Sequence, residues 1–206
     1  MTAEGEKALD AFLTLIADKG YAEVSLRQVA EAAGLGLADL YRLFPDKVAL
    51  VSAFMARIDG QVLAGTASSV DPEETARDRL FDVMMRRYDA LRAHRGALRA
   101  LRRASKRDPL LALALARPAK RSLAAMLEAA SLSSDGLAGA VRQNGLMAIH
   151  RAVLNVFDSD ETTDLSTTMA ALDARLKTAE RWSQLFDKYT NSTRRTKSEA
   201  SAQSST

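Results

Sequence analysis

Apolar residues in this chain recur at helical intervals, and no stretch of useful length alternates as a strand would. Over residues 6–19, Ala8, Leu9, Phe12, Leu13, Leu15 and Ile16 form one apolar face among charged positions, the pattern of an amphipathic helix. From Ser25 to Lys47 the periodicity breaks into two shorter pieces. Ser25 is a good N-cap, and Leu26, Val29, Ala30 and Ala33 follow at helical spacing. Gly34 stands where a helix ends in the left-handed conformation that glycine adopts without a Cβ penalty. A second short helix, Leu37 to Arg42, is expected to stop near Pro45, which disfavours helix at Phe44. Two helices hinged at a glycine predict a helix-turn-helix, the shape that lays a helix in the DNA major groove.

The remaining pattern is also helical. A longer helix is predicted from near Asp46 through Leu50, Phe54, Ile58 and Val62 towards Gly65. Thr66 to Pro72 reads as a linker, and Asp71-Pro72-Glu73-Glu74 is expected to open the next helix, with Leu80, Met84, Tyr88 and Leu91 on its apolar stripe. Turns are predicted at His94-Arg95-Gly96 and Asp108-Pro109, then a helix from about Arg117-Pro118 to Ala130. Asp135-Gly136 opens another through Val141, Leu146, Ile149, Val153 and Phe157. An acidic loop, Asp158 to Asp164, precedes a last helix carrying Leu165, Met169, Leu172, Leu176, Ala179, Trp182 and Phe186. The segment from Thr190 onwards is Ser/Thr-rich and reads as a disordered tail. The expected organisation is a head over 1–64, a helical domain over 72–188 and a tail over 189–206.

Composition agrees with an all-α chain: 47% hydrophobic residues with only 4 Pro among 206. No run of about 18 or more apolar residues suggests a membrane span, and Met1 to Glu6 lack the pattern of a secretory leader, so a soluble cytoplasmic protein is expected. With 0 Cys there is no thiolate metal site. His94 and His150 have no second ligand at helical spacing, and no nucleophile set, phosphate loop or carboxylate pair stands out. No metal, no cofactor and no enzymatic activity are therefore expected. Charge is uneven. Residues 1–58 hold six basic and eight acidic side chains, a net of −2, whereas residues 77–121 hold fourteen basic and four acidic, a net of +10. The basic segment reads as a solvated helix face, an acidic-lipid surface or a contact for an acidic partner.

The order Ser25, Val29-Ala30, Ala33-Gly34-Leu35, Leu40-Tyr41, Phe44, Lys47 and Leu50 resembles the N-terminal domain of TetR-type transcriptional regulators. The resemblance covers roughly the first 55 residues. It implies a TetR-like fold, a three-helix head joined by a connector helix to a C-terminal bundle. It also implies a DNA interface at Ser25, Leu37, Ala38, Asp39, Tyr41, Arg42 and Lys47, with Tyr41 and Lys47 on the phosphate backbone. The alternative for Tyr41 is hydrophobic packing, and for Lys47 a solvated cap of the connector. The chain departs from the family at Gly36 to Asp39, where small polar or basic residues are usual. Gly36 brings no capping hydroxyl, Leu37 offers only apolar contact such as with a thymine methyl, and Asp39 repels phosphate.

A second resemblance lies in the segment HRAVLNVFDSDETTDLSTTMAALDARLKTAERW, which is similar to lipid-binding accessory proteins of coenzyme Q biosynthesis. It implies an isoprenoid or other apolar ligand among the C-terminal helices. Met84, Tyr88, Met126, Met147 and Phe157 are candidates for such a pocket, ordinary core being the alternative for each. Small residues Gly139, Ala140, Gly145, Ala148 and Ala152 would allow close approach of helices, within the chain or across a homodimer. The sequence reading is thus a ligand-responsive DNA-binding regulator, dimeric, with double-stranded DNA and a small apolar ligand as partners. Its alternative is an isoprenoid-lipid carrier of ubiquinone biosynthesis that binds no DNA and meets a membrane surface.

Overall fold

Helix caps set the boundaries of the elements in the computed structural model, which describes residues 1–66 and 73–181. Residues 67–72 of the expected linker, Asp71 and Pro72 among them, lie outside the described residues, as do Trp182, Phe186 and the expected tail. The order is α1 (Ala3–Lys19), α2 (Leu26–Ala33), α3 (Leu37–Leu43), α4 (Lys47–Ala64), α5 (Ala76–Arg92), α6 (Arg95–Arg107), α7 (Pro109–Ala129) and α8 (Gly136–Phe157). A further helix, α9, occupies 166–181. No strand occurs among the described residues.

In the head, Ser25 and Gln28 form a reciprocal capping box. Ser25 Oγ accepts from Gln28 N at 3.3 Å, and Gln28 Oε1 accepts from Ser25 N at 2.8 Å. Gly34 ends α2 at φ 68° and ψ 32°, the left-handed turn that the sequence predicted. Asp46 starts α4 by accepting from Ala49 N at 2.7 Å. Three helices and the first half of α4 close over Leu9, Phe12, Ile16, Val29, Leu40 and Leu50, all fully buried. Tyr21 sets its ring edge against Phe12, with centroids 6.3 Å apart.

Two boundaries differ from the sequence reading. Helix α5 starts at Ala76, because Thr75 supplies the cap, its Oγ1 accepting from Asp78 N at 3.2 Å. Helix α7 starts at Pro109, not near Arg117. Asp108 accepts from Leu110 N and Leu111 N at 2.9 and 3.1 Å, and Pro109 takes the first helical position, where its missing N–H costs nothing. Pro118 therefore sits inside α7. The carbonyl it leaves without a helical donor belongs to Ala114, an exposed position where water can supply the bond.

Helix α4 belongs to two cores at once. Its later residues Ile58 and Val62 are buried with Met84 and Tyr88 of α5, Leu123 and Met126 of α7 and Phe157 of α8. One buried polar cluster fixes it there: Asp59 Oδ1 accepts from Arg87 Nη1 at 2.5 Å and from Ser122 Oγ at 2.6 Å. The two charged side chains are only 14% and 6% exposed. Arg57 joins α4 to α1 through Glu6 at 3.1 Å and Asp10 at 2.6 Å. Helix α1 also packs on α6, at a point where a Cβ on Gly96 would come 3.0 Å from the Ala17 methyl.

The small residues of α8 divide into two kinds. A Cβ on Gly139 would lie 2.1 Å from the Ser134 carbonyl carbon, so that glycine serves an approach within the chain. Gly145 and Ala148 are exposed, on the side that also leaves Leu137 85% and Val141 65% exposed.

Removing Asp59 strands the Arg87 guanidinium in the core. Asp59→Ala is expected to lower the unfolding free energy by about 3–5 kcal/mol. The double variant Asp59→Leu/Arg87→Met should lose clearly less, and urea denaturation of both variants checks the pair.

Candidate functional site

The short helix α3 is the most exposed element of the head. Leu40 anchors it in the core, while Leu37 and Tyr41 stand 40% and 59% exposed. Leu26, Arg27, Leu37, Ala38, Tyr41 and Arg42 surround one shallow depression between α2 and α3. Ser25 is exposed at the start of α2. Arg27, which the sequence reading did not name, joins this set; its place two residues after the cap Ser25 was the available signal. Gly36 caps α3 without a side-chain bond, and a Cβ there would meet Asp39 Oδ2 at 2.8 Å. Asp39 therefore folds back over its own helix start, where a carboxylate is favoured by the helix dipole. It also forms an ion pair with Arg42 across one helical turn, both side chains being well exposed. The phosphate repulsion expected of Asp39 is thus offset by its neighbour, and the pair can open at little cost in solvent.

Lys47 does not reach outward. Its Nζ donates to Tyr21 O and Val24 O at 2.8 Å each and lies 4.3 Å from the centre of the Tyr21 ring. Burial pushes its pKa below the ordinary lysine value, partly opposed by Glu23. Of three ammonium protons two are committed to backbone carbonyls, so the side chain closes the turn between α1 and α2. The structure thus separates Lys47 from the exposed set and leaves Ser25, Leu37, Ala38, Asp39, Tyr41 and Arg42 at the surface around Arg27.

The helical body holds a cavity of about 550 Å³ walled by α4, α5, α6, α7 and α8. Its volume falls within the roughly 300–1,000 Å³ of small-molecule sites. Val51, Phe54, Met55 and Ile58 of α4 line it, opposite Ala112, Ala116 and Ala119 of α7. Of the five pocket residues expected from sequence, Met147 is in the lining. Met84, Tyr88, Met126 and Phe157 are fully buried in the surrounding core and are not in it. The large side chains fill space here, and the alanines of α7 leave it empty.

His150 faces the cavity, and its Nδ1 lies 2.9 Å from the Tyr88 hydroxyl. Burial, reinforced by Arg87, Arg102 and Arg151, brings its pKa down to about 3, so the ring is neutral. Burial also raises the Tyr88 pKa. The hydroxyl and the neutral imidazole therefore share one hydrogen bond at ordinary pH.

Much of the +10 segment is consumed inside the fold. Arg79 Nε donates to Ala130 O at 3.1 Å, Arg99 Nη2 to Asp158 O at 2.9 Å, and Arg86 to Gly65 O. Arg102 pairs with Asp158, and the Arg95 guanidinium lies 4.5 Å from the centre of the Phe157 ring. The Asp-Ser-Asp loop likewise has local tasks. Asp160 is buried against its solvation, yet bonds from Thr162 and Thr168 bring its pKa down to about 2 and fix the start of α9. No group of side chains able to hold a metal occurs among the described residues.

Residues 8–54 match the family described as bacterial regulatory proteins, tetR family. The HTH-type transcriptional repressor KstR of Rhodococcus jostii (strain RHA1) is 44% identical over 52 residues, which are 25% of this chain and 24% of that repressor. The match thus spans about a quarter of the relative's length. Over most of the chain the likeness is one of fold. A TetR transcriptional regulator from Nitrosomonas europaea superimposes with a TM-score of 0.68 at 20% identity, covering 85% of this chain and 97% of that one. A TetR transcriptional regulator from Rhodococcus sp. RHA1 gives 0.59 at 22% identity over 84% and 96%. The head thus matches the tetR family over residues 8–54, and the described residues, helical throughout their regular structure, share the fold of solved TetR regulators.

Two outcomes follow from the side-chain geometry. Lys47→Met should destabilise the head by about 1–3 kcal/mol through the two released carbonyls, measured by thermal unfolding. His150 gains its proton near pH 6.5 when unfolded and near 3 when folded. Stability from this residue is therefore full above pH 6.5 and is lost as pH falls, by at most about 1.4 kcal/mol per pH unit. His94, lowered mainly by burial and then by Arg57, adds a slope of the same sign. Urea midpoints between about pH 7 and 5 should fall in the native chain and fall less in His150→Gln.

Proposed function

We propose that this protein is a ligand-responsive DNA-binding transcriptional repressor of TetR type. The observation that carries the reading is the exposed face of α3, Leu37, Ala38, Tyr41 and Arg42, on a head matched to the tetR family over residues 8–54. Leu37 can meet a thymine methyl, Tyr41 and Ser25 can donate to phosphate, and Arg42 or Arg27 can pair with phosphate or a guanine edge. The modest charge of the head makes phosphate neutralisation rest on few side chains, so affinity should be salt-sensitive but not strongly so.

Helix α4 supplies the coupling. It begins in the head at Lys47 and contributes Val51, Phe54, Met55 and Ile58 to the cavity wall. A molecule in the cavity that fits one position of α4 better than another shifts the population of head positions, which is how an effector would release the operator. A homodimer would present two heads to a two-fold operator. The exposed side of α8, with Leu137, Val141, Gly145 and Ala148, supports an interface there. The regulator would work in the cytoplasm, where its DNA lies. No helix among the described residues is long and apolar enough to cross a membrane. The carrier reading rests on the acidic loop and last helix of the sequence alone, and no similarity described above supports it.

Selection of genomic DNA fragments on the purified protein tests this function. The native chain should enrich a discrete sequence, and Tyr41→Ala and Arg42→Gln should each weaken its binding about tenfold or more while leaving the fold unchanged. Absence of any enriched sequence, with an isoprenoid lipid co-purifying, would reverse the proposal in favour of the carrier.

A further inference from the structure

The cavity wall is chemically lopsided. No aspartate or glutamate lines it, whereas four cations do: Arg87, Arg102, Lys106 and Arg151. Two of these are already matched, Arg87 by Asp59 and Arg102 by Asp158. Lys106 and Arg151 have no ion pair among the described residues, and both are exposed. Their place is therefore at the rim, one on α6 and one on α8. Ser105, half-buried beside Lys106, also lines the cavity and makes no hydrogen bond among the described residues. Apart from the acid-paired Arg87 and the neutral His150, the buried wall is hydrocarbon: Phe54 and Ile58 of α4, Leu101 of α6, Leu115 and Leu123 of α7 and Leu154 of α8.

Resting on the reading of this cavity as the effector site, we propose that its ligand is an anionic amphiphile, a hydrocarbon bearing one carboxylate. The carboxylate sits at the rim between Lys106 and Arg151 with Ser105 as a hydroxyl donor, and the chain fills the space beside the α7 alanines. Charge-assisted bonds are stronger than neutral ones, which favours the anion over a neutral lipid of equal length. A cationic amphiphile meets two like charges instead. Burial, helped by the same positive surroundings, holds His150 unprotonated, so the ring offers the apolar tail a neutral surface. The small apolar ligand expected from sequence is thereby given a head group and an orientation.

Sodium laurate, dodecanol and dodecyltrimethylammonium, titrated below their aggregation limits into the full-length protein by calorimetry, separate the possibilities. Laurate is expected to bind about tenfold or more tightly than dodecanol, and the ammonium compound weakest of the three. Lys106→Gln and Arg151→Gln, both surface changes, should each weaken laurate about fivefold and leave dodecanol unaffected. Ala119→Trp, which fills the cavity, should abolish binding of both. Equal affinity for laurate and dodecanol, unchanged laurate affinity in both rim variants, or no binding of any amphiphile overturns the proposal. DNA binding measured on the same preparations without amphiphile keeps the two readings apart. DNA bound without laurate defeats only this inference, and laurate bound without DNA defeats only the regulator.

Discussion

The buried bond between Asp59 and Arg87, shared with Ser122, is the constraint on which the body depends. A carboxylate and a guanidinium taken from water are tolerated only when each is matched, and here the match spans three helices. Hydrophobic contact alone would let α4 rotate or slide among Leu123, Met126 and Tyr88 with small losses. The polar cluster permits one register. Since the same helix enters the head core through Leu50, fixing α4 in the body fixes where the head is carried.

The charge distribution gains its meaning from that arrangement. A segment of +10 next to a head of −2 looks, as a string of letters, like a basic surface in the wrong place. In the fold its arginines terminate helices, pair with acids from distant elements and cover carbonyls at turns. Arg79, Arg86 and Arg99 each reach a backbone oxygen outside their own helix. Guanidinium suits this work because it carries five donors on a long stem, so one side chain bridges elements that pack poorly.

Legibility in the sequence followed the range of the interaction. Ser25, Gly34, Asp46 and Pro45 act within three or four residues, and the head was readable from them. The start of α7 was misplaced because Arg117-Pro118 and Asp108-Pro109 both look like helix openings; the side-chain cap from Asp108 decides between them, and a proline in mid-helix obscured it. Lys47 was harder. Nothing in local spacing says that its ammonium turns back to carbonyls of residues 21 and 24. The cavity was hardest, since emptiness depends on what five helices fail to fill. Its one local sign was the run of Ala112, Ala116 and Ala119 on a single face of α7, easily passed over beside conspicuous methionines.

The meeting of α1 and α6 has a mechanical side. At Gly96 the two helices approach so closely that one added methyl group would press on Ala17. Contacts made through long side chains are compliant, because rotamers can yield while the backbones move independently. Contacts made backbone to backbone have no such slack. Helix α6 borders the cavity on one side and touches the head on the other, so this seam leaves little slack between the two. A bulky residue at position 96 would turn it into a spacer and wedge α6 away from α1.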